Sequence, residues 1–133
     1  MTGPEEHSFW VSGVPAPQGS KRYVGNGRMI EQSVGVKPWR EAVHHRVLQE
    51  RAKVGRFEDG PLYLGLVLHL PHGKQREASP WKRRDLDKLV RAVGDSLTSG
   101  GLILDDSRFT ELHAHKIWAA GDTGVHITIR RNP

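Results

Sequence analysis

Hydrophobic positions along the chain recur with two periods, and the change between them marks the elements. Residues Ser8 to Val14 alternate loosely, Phe9, Val11 and Gly13 against Trp10, Ser12 and Val14, which predicts a first strand. The stretch from Pro15 to Arg22 holds too much Pro and Gly for regular structure. Gly25-Asn26-Gly27 then suggests a hairpin turn before a short strand near Met29 to Gln32. From Pro38 the spacing becomes helical (Trp39, Ala42, Val43, Val47, Leu48), and the pattern predicts a helix to about Val54. Pro38 suits its first turn and Gly55 its end. Gly60-Pro61 opens Leu62 to Leu70, a strongly apolar strand that contains Gly65. After a polar, basic loop from Pro71 to Trp81, a second helix is expected over Asp85 to Leu97, stopped by Gly100-Gly101. Leu102-Ile103-Leu104 reads as a brief strand ending on Asp105-Asp106. Phe109 to Trp118 and Val125 to Ile129 read as two more, joined by the turn at 120–124. The order β-β-α-β-α-β-β-β predicts a single small α+β domain over residues 1–133, a mixed β-sheet with two helices.

Composition narrows what such a domain can do. With 133 residues there is room for one core and none for a separate substrate domain. The chain has no cysteine, which excludes disulfides, thiolate metal sites and cysteine nucleophiles, and fits a reducing cytoplasm. No apolar run approaches the roughly 20 residues of a transmembrane helix, and Met1 to Ser8 is polar and acidic, unlike a signal peptide. The expectation is a soluble, cytoplasmic protein without membrane contact. A net charge of +5 and a pI near 9.9 point to a polyanionic partner.

The candidate chemistry lies in the segment from Arg83 to Asp95 and in Asp105-Asp106. On a helical wheel, Leu86, Leu89, Val90, Val93 and Leu97 fall within an arc of about 100°, the expected core face. Asp87, Arg91, Asp95, Lys88 and Arg84 gather opposite, with Asp85 at the edge. One reading is a solvated helix face with ion pairs from Asp87 to Arg91 and from Arg91 to Asp95, and Asp85 as a simple N-cap. The other is a metal site, because the acid pair at Asp105-Asp106 ends an apolar strand that can fold back beside the helix. Convergent carboxylates among Lys and Arg suit Mg2+, a hard cation that takes oxygen ligands and keeps several waters. The ion lowers the pKa of a water and neutralises charge on a phosphate, and a neighbouring cation stabilises the rest.

With Arg83-Arg84-Asp85-Leu86-Asp87, then Leu89, Asp95, Leu97 and Leu104-Asp105-Asp106 in that order and spacing, the chain resembles the RusA family of Holliday junction resolvases. The likeness extends from the first Pro/Gly loop with Lys21-Arg22 to the last strand. It implies a homodimer that binds a four-way DNA junction and resolves it by paired symmetric nicks, with Mg2+ or alternatively Mn2+ as cofactor. It places catalytic aspartates at Asp85, Asp87 and Asp106, a further metal-site acid at Asp105 and a supporting acid at Asp95. Two positions depart from the family pattern: Lys88 stands where Asn is usual, and Arg91 where a catalytic Lys is usual. Arg91 keeps the charge but not the compact ammonium. Lys116 matches another commonly basic position.

Further contacts to DNA are expected from two basic clusters, Lys21, Arg22 and Arg28 in the first loop region and Lys74, Arg76, Lys82, Arg83 and Arg84 around the second. Lys88 and Lys116 join them nearer the acids. Tyr23 and Trp81 sit beside these cations, either as ordinary packing or as wedges against exposed bases. Arg130-Arg131 reads as solubility. His44 and His45 are adjacent on a helix and point apart, whereas His113 and His115 share a strand face without a third ligand. Two other functions stay open. One is a nuclease of the same fold that nicks flaps or forks without junction selectivity. The other is a catalytically idle DNA-binding module whose acids only pair with neighbouring bases.

Overall fold

Five leucines on alternate positions of one strand organise the molecule. The computed structural model describes residues 3–19, 21–25, 28–31 and 35–133, with 21–24 and 28–31 as backbone only. Leu62, Leu64, Leu66, Leu68 and Leu70 are at most 1% exposed, all on one face of the strand Leu62–Leu70 (β4). Two helices cover that face. Val36–Val54 (α1) contributes Trp39, Val43 and Val47, and Leu86–Ser99 (α2) contributes Leu89, Val93 and Leu97, while Leu86 and Val90 pack at the margin. The core face expected for the second helix is the one it buries.

β4 lies inside a four-stranded sheet with Glu6–Ser12 (β1), Phe109–Trp118 (β5) and Gly124–Arg131 (β6), in the order β1-β6-β4-β5. β5 runs parallel to β4, and the other pairs are antiparallel. A parallel neighbour cannot be reached by a tight turn, so the chain must cross over the sheet, and α2 is that crossover. It is therefore tied at both ends to the strands it connects. The opposite face, with Tyr63, Val67, His69, His113, His115 and His126, carries no helix among the described residues and is largely polar. Gly65 on that face leaves room for the Tyr63 ring, whose hydroxyl would lie 2.9 Å from an added Cβ.

Two local expectations are corrected. Lys21–Gly25 (β2), expected to be irregular, pairs antiparallel with Arg28–Glu31 (β3) as a separate two-stranded ribbon. The intervening Asn-Gly pair, and Gln32 at the expected strand end, lie outside the described residues. Leu102-Ile103-Leu104 is no strand. Leu102 and Ile103 are buried, but the Leu102 N–H donates to the Leu97 carbonyl (3.2 Å) and its own carbonyl accepts from Phe57 (2.9 Å). Leu102 and Ile103 plug the end of α2 instead of forming a ladder, Leu104 stays exposed, and a 3-10 turn, Asp106–Arg108, leads into β5. The observed order is β-β-β-α-β-α-β-β. No helix among the described residues is long and apolar enough to cross a membrane.

Candidate functional site

The start of α2 is set by an unusual backbone. Arg84 has φ 64°, the one non-glycine residue with positive φ among the described residues. Such a conformation costs of order 1–3 kcal/mol and persists where surrounding contacts enforce it. Here the enforcing contact is Lys116 on β5, whose ammonium donates to the carbonyls of Arg83 (3.2 Å) and Arg84 (2.8 Å). The chain then enters α2 with Asp85 as N-cap. Its carbonyl accepts from Leu89 (3.0 Å), but its side chain makes no capping bond and turns instead to the Lys88 ammonium at 3.4 Å. Asp87, in the first turn, is exposed. Carboxylates are favoured at a helix N-terminus, where the peptide dipoles present positive charge.

The two ion pairs expected along the helix, Asp87 to Arg91 and Arg91 to Asp95, do not form among the described residues. The first loop intervenes. The Gln18 side-chain amide donates to Asp95, and the Gln18 backbone N–H donates to the Lys88 carbonyl (3.0 Å). The Arg91 guanidinium lies against Gly19, where an added Cβ would stand 2.5 Å from Nη1. Asp95 thus fastens a loop, in keeping with a supporting role, and Arg91 is held beside the loop that leads to the basic ribbon β2–β3. Gln18 carried no sequence signal, since its partner is 77 residues away.

Asp105 and Asp106 separate in role. Asp105 accepts from the Ser107 N–H (2.9 Å); hydrogen bonds from Ser107, assisted by the Arg108 charge, hold its carboxyl below the usual aspartate range. Asp106 turns the other way, and its Oδ2 lies 3.5 Å from where a Cβ on Gly94 would be. Gly94 was not singled out in the sequence, yet it is the position of α2 against which Asp106 lies, with space there for a methyl and no more. Gly94 falls seven residues after Asp87 on the same stripe of the helix, roughly 10 Å further along its axis. The acid that opens the 3-10 turn therefore reaches α2 about two turns beyond the helix opening.

Among the described residues no three His, Asp or Glu side chains converge closely enough to cage a metal. Mg2+ does not need a cage, because it is commonly held by one or two carboxylates together with waters and substrate phosphate. Asp85 and Asp87 are exposed at the N-terminus of α2, and Asp106, in the turn after it, lies against the same helix about two turns further along, so one or two of these carboxylates are available for a site of that kind.

The second basic cluster borders this site. Lys74, Arg76, Lys82 and Arg83 are exposed, and Lys82 pairs with Glu77 (2.9 Å). Arg84 is half-buried; burial and the nearby Arg83 charge pull its pKa below the usual guanidinium range. The loop is held down by Trp118, whose indole N–H donates to the Glu77 carbonyl (2.7 Å) and whose ring stacks on His72. Lys88 and Lys116 are engaged with Asp85 and with backbone carbonyls. The side chains of Lys21, Arg22, Tyr23 and Arg28 lie outside the described residues. His44 and His45 bond to different partners, Ser99 and Gln49, and His113 pairs with Glu111 on the open face of the sheet. Arg131 lies near Glu5 and Glu58, as a solvated surface residue would.

Comparison with known proteins agrees with this architecture. The family model described as Endodeoxyribonuclease RusA matches residues 12–130. The crossover junction endodeoxyribonuclease RusA of Aquifex aeolicus (strain VF5) is 27% identical over 126 residues, covering 95% of this chain and 92% of that protein.

Proposed function

Because this chain belongs to the RusA family of endodeoxyribonucleases, we propose that it is a Holliday junction resolvase that nicks a four-way junction at two symmetric positions, as a homodimer, with Mg2+ or Mn2+. One or two of Asp85, Asp87 and Asp106 would hold the ion together with waters and substrate phosphate, while Asp105 closes its own turn through Ser107. The observation that carries this reading is the seating of Asp106 against Gly94, which brings the acid after the crossover onto the helix that opens with Asp85 and Asp87. When bound, the ion supplies a water of lowered pKa and a Lewis acid for the phosphate.

The remaining tasks fall to the protein's own side chains. The Arg91 guanidinium neutralises charge on the attacked phosphate, and as arginine it does so without moving a proton. Lys88 steadies Asp85, and Lys116 fixes the backbone from which Asp85 projects. Lys74, Arg76, Lys82, Arg83 and Arg84 take flanking phosphates, with Lys21, Arg22 and Arg28 on the ribbon gripping a second arm. Such contacts position DNA without reading its sequence. A cysteine-free chain suits the cytoplasm as the place of action.

Incubating the protein with a synthetic four-way junction and titrated Mg2+ tests the reading. The expected products are paired, symmetric incisions that vanish in Asp87→Asn while the junction's mobility shift remains. A native chain that shifts the junction and never cuts it, at any divalent metal concentration, would be an idle binding module. Equal cutting of flaps and forks would remove the junction selectivity alone.

A further inference from the structure

Three of the four tryptophans are accounted for by the fold. Trp39 is buried at 2% exposure. Trp10 donates to Ser12 (2.9 Å) and packs edge-on against His69, and Trp118 anchors the basic loop through Glu77 and His72. Trp81 is 66% exposed, the most open of the large apolar side chains among the described residues and the one aromatic in that group. An indole is a large apolar surface that proteins ordinarily cover.

Its neighbours hold this exposed position in place. Pro80 is buried immediately before it, and the Trp81 N–H donates to the Ser79 carbonyl (2.9 Å). On the other side Lys82 reaches back to Glu77, whose carbonyl is itself held by Trp118, and Lys116 grips the next two carbonyls. The indole therefore stands on a clamped loop, four residues before Asp85, in a segment that also carries the exposed Lys74, Arg76, Lys82 and Arg83. The Lys82 ammonium lies 5.5 Å from the centre of its ring.

We infer that Trp81 is a stacking platform for a base exposed at the branch point, and that it distinguishes branched DNA from continuous duplex. In a regular duplex both faces of each interior base are covered by neighbours, so the loop's cations find phosphates and the indole finds nothing. Where strands exchange between arms, a base can present one face, and an aromatic ring set among cations matches that combination. The inference rests on the branched-DNA reading above and adds the residue that selects the branch.

The test uses the full chain with Ca2+ in place of Mg2+, a four-way junction carrying 2-aminopurine at the crossover or in mid-arm, and a linear duplex of equal length. The native protein is expected to quench the crossover probe and leave the mid-arm probe unchanged. Trp81→Ala is expected to abolish the quench and weaken junction binding roughly 5- to 150-fold. Its duplex affinity should stay within about two-fold, since phosphate contacts are untouched, and Trp81→Phe should recover most of the loss. An Ala variant that binds the junction as tightly as the native chain, or loses junction and duplex affinity in parallel, sinks the stacking role alone. A native chain with no preference for junction over duplex removes the branched-substrate reading, and the stacking role with it.

Discussion

Neighbouring residues of one type do different things in this chain, and Asp105 and Asp106 are the clearest case. One closes its own turn through Ser107, and the other leans on a glycine of α2. Sequence spacing singles out both as acids near a helix start, because charge type and order survive translation into text. It does not say which carboxylate is already engaged, since that depends on the turn around it. Gln18, Gly94 and the anchoring use of Lys116 stay hidden for the same reason: each works through a partner distant in the chain. Glu50 was hidden too. It is a buried acid, 3% exposed, contacted by His7 (2.6 Å), Arg46 (3.1 Å) and Lys53 (3.3 Å). Burial alone would raise its pKa. Hydrogen bonds from His7 and Lys53 and the charges of Arg46 and Lys53 outweigh that, and the pKa falls below the usual glutamate value. A carboxyl with a lower pKa when folded lends stability that is complete above its unfolded pKa and drains as pH falls through the folded one. Glu50→Gln is therefore expected to cost about 1–3 kcal/mol near neutrality. Urea melts should show the gap between the two proteins closing as the pH drops below the carboxylate range.

At the scale of elements, α2 was legible almost entirely, because its apolar stripe is long and its stop is a pair of glycines. The segment after it was not. Leu102 to Leu104 has strand-like composition, but Leu102 and Ile103, beside a helix end, gain more by plugging it than by pairing. The ribbon β2–β3 shows the opposite failure, since Pro and Gly upstream masked a strand that begins at Lys21. How closely α2 and the turn before β5 approach is set at Gly94. A methyl there meets Asp106 at ordinary contact distances, 3.5 and 3.7 Å. Gly94→Ala is accordingly expected to stabilise the fold by up to about 1 kcal/mol through helix propensity, with DNA cleavage retained. Gly94→Val adds branches that must displace Asp106, so cleavage should fall by at least an order of magnitude while junction binding persists. A Gly94→Val enzyme that cuts normally would show that the contact with Asp106 does not govern the chemistry.

For the molecule as a whole, charge sets the mode of attachment. A net charge of +5, with exposed cations concentrated around the loop before α2, makes phosphate contacts the main source of affinity. The double variant Lys74→Gln, Arg83→Gln should make the slope of log affinity against log salt less negative by about 2. The same shift is expected on duplex and junction alike, because phosphates carry no branch information. An unchanged slope would place these two residues off the DNA path.

The placing of β6 between β1 and β4 also has a consequence for how the protein is made. Glu6 pairs with Arg130 and Leu64 with Ile129, so the first strand meets the middle of the sheet only through a segment that lies more than a hundred residues further along the chain. Until those residues leave the ribosome, β1 has no neighbour and β4 lacks one flank, however complete the helices are. Domains whose pairings span the whole sequence fold late and slowly. A nascent chain of this protein stays without its finished sheet until β6 has emerged.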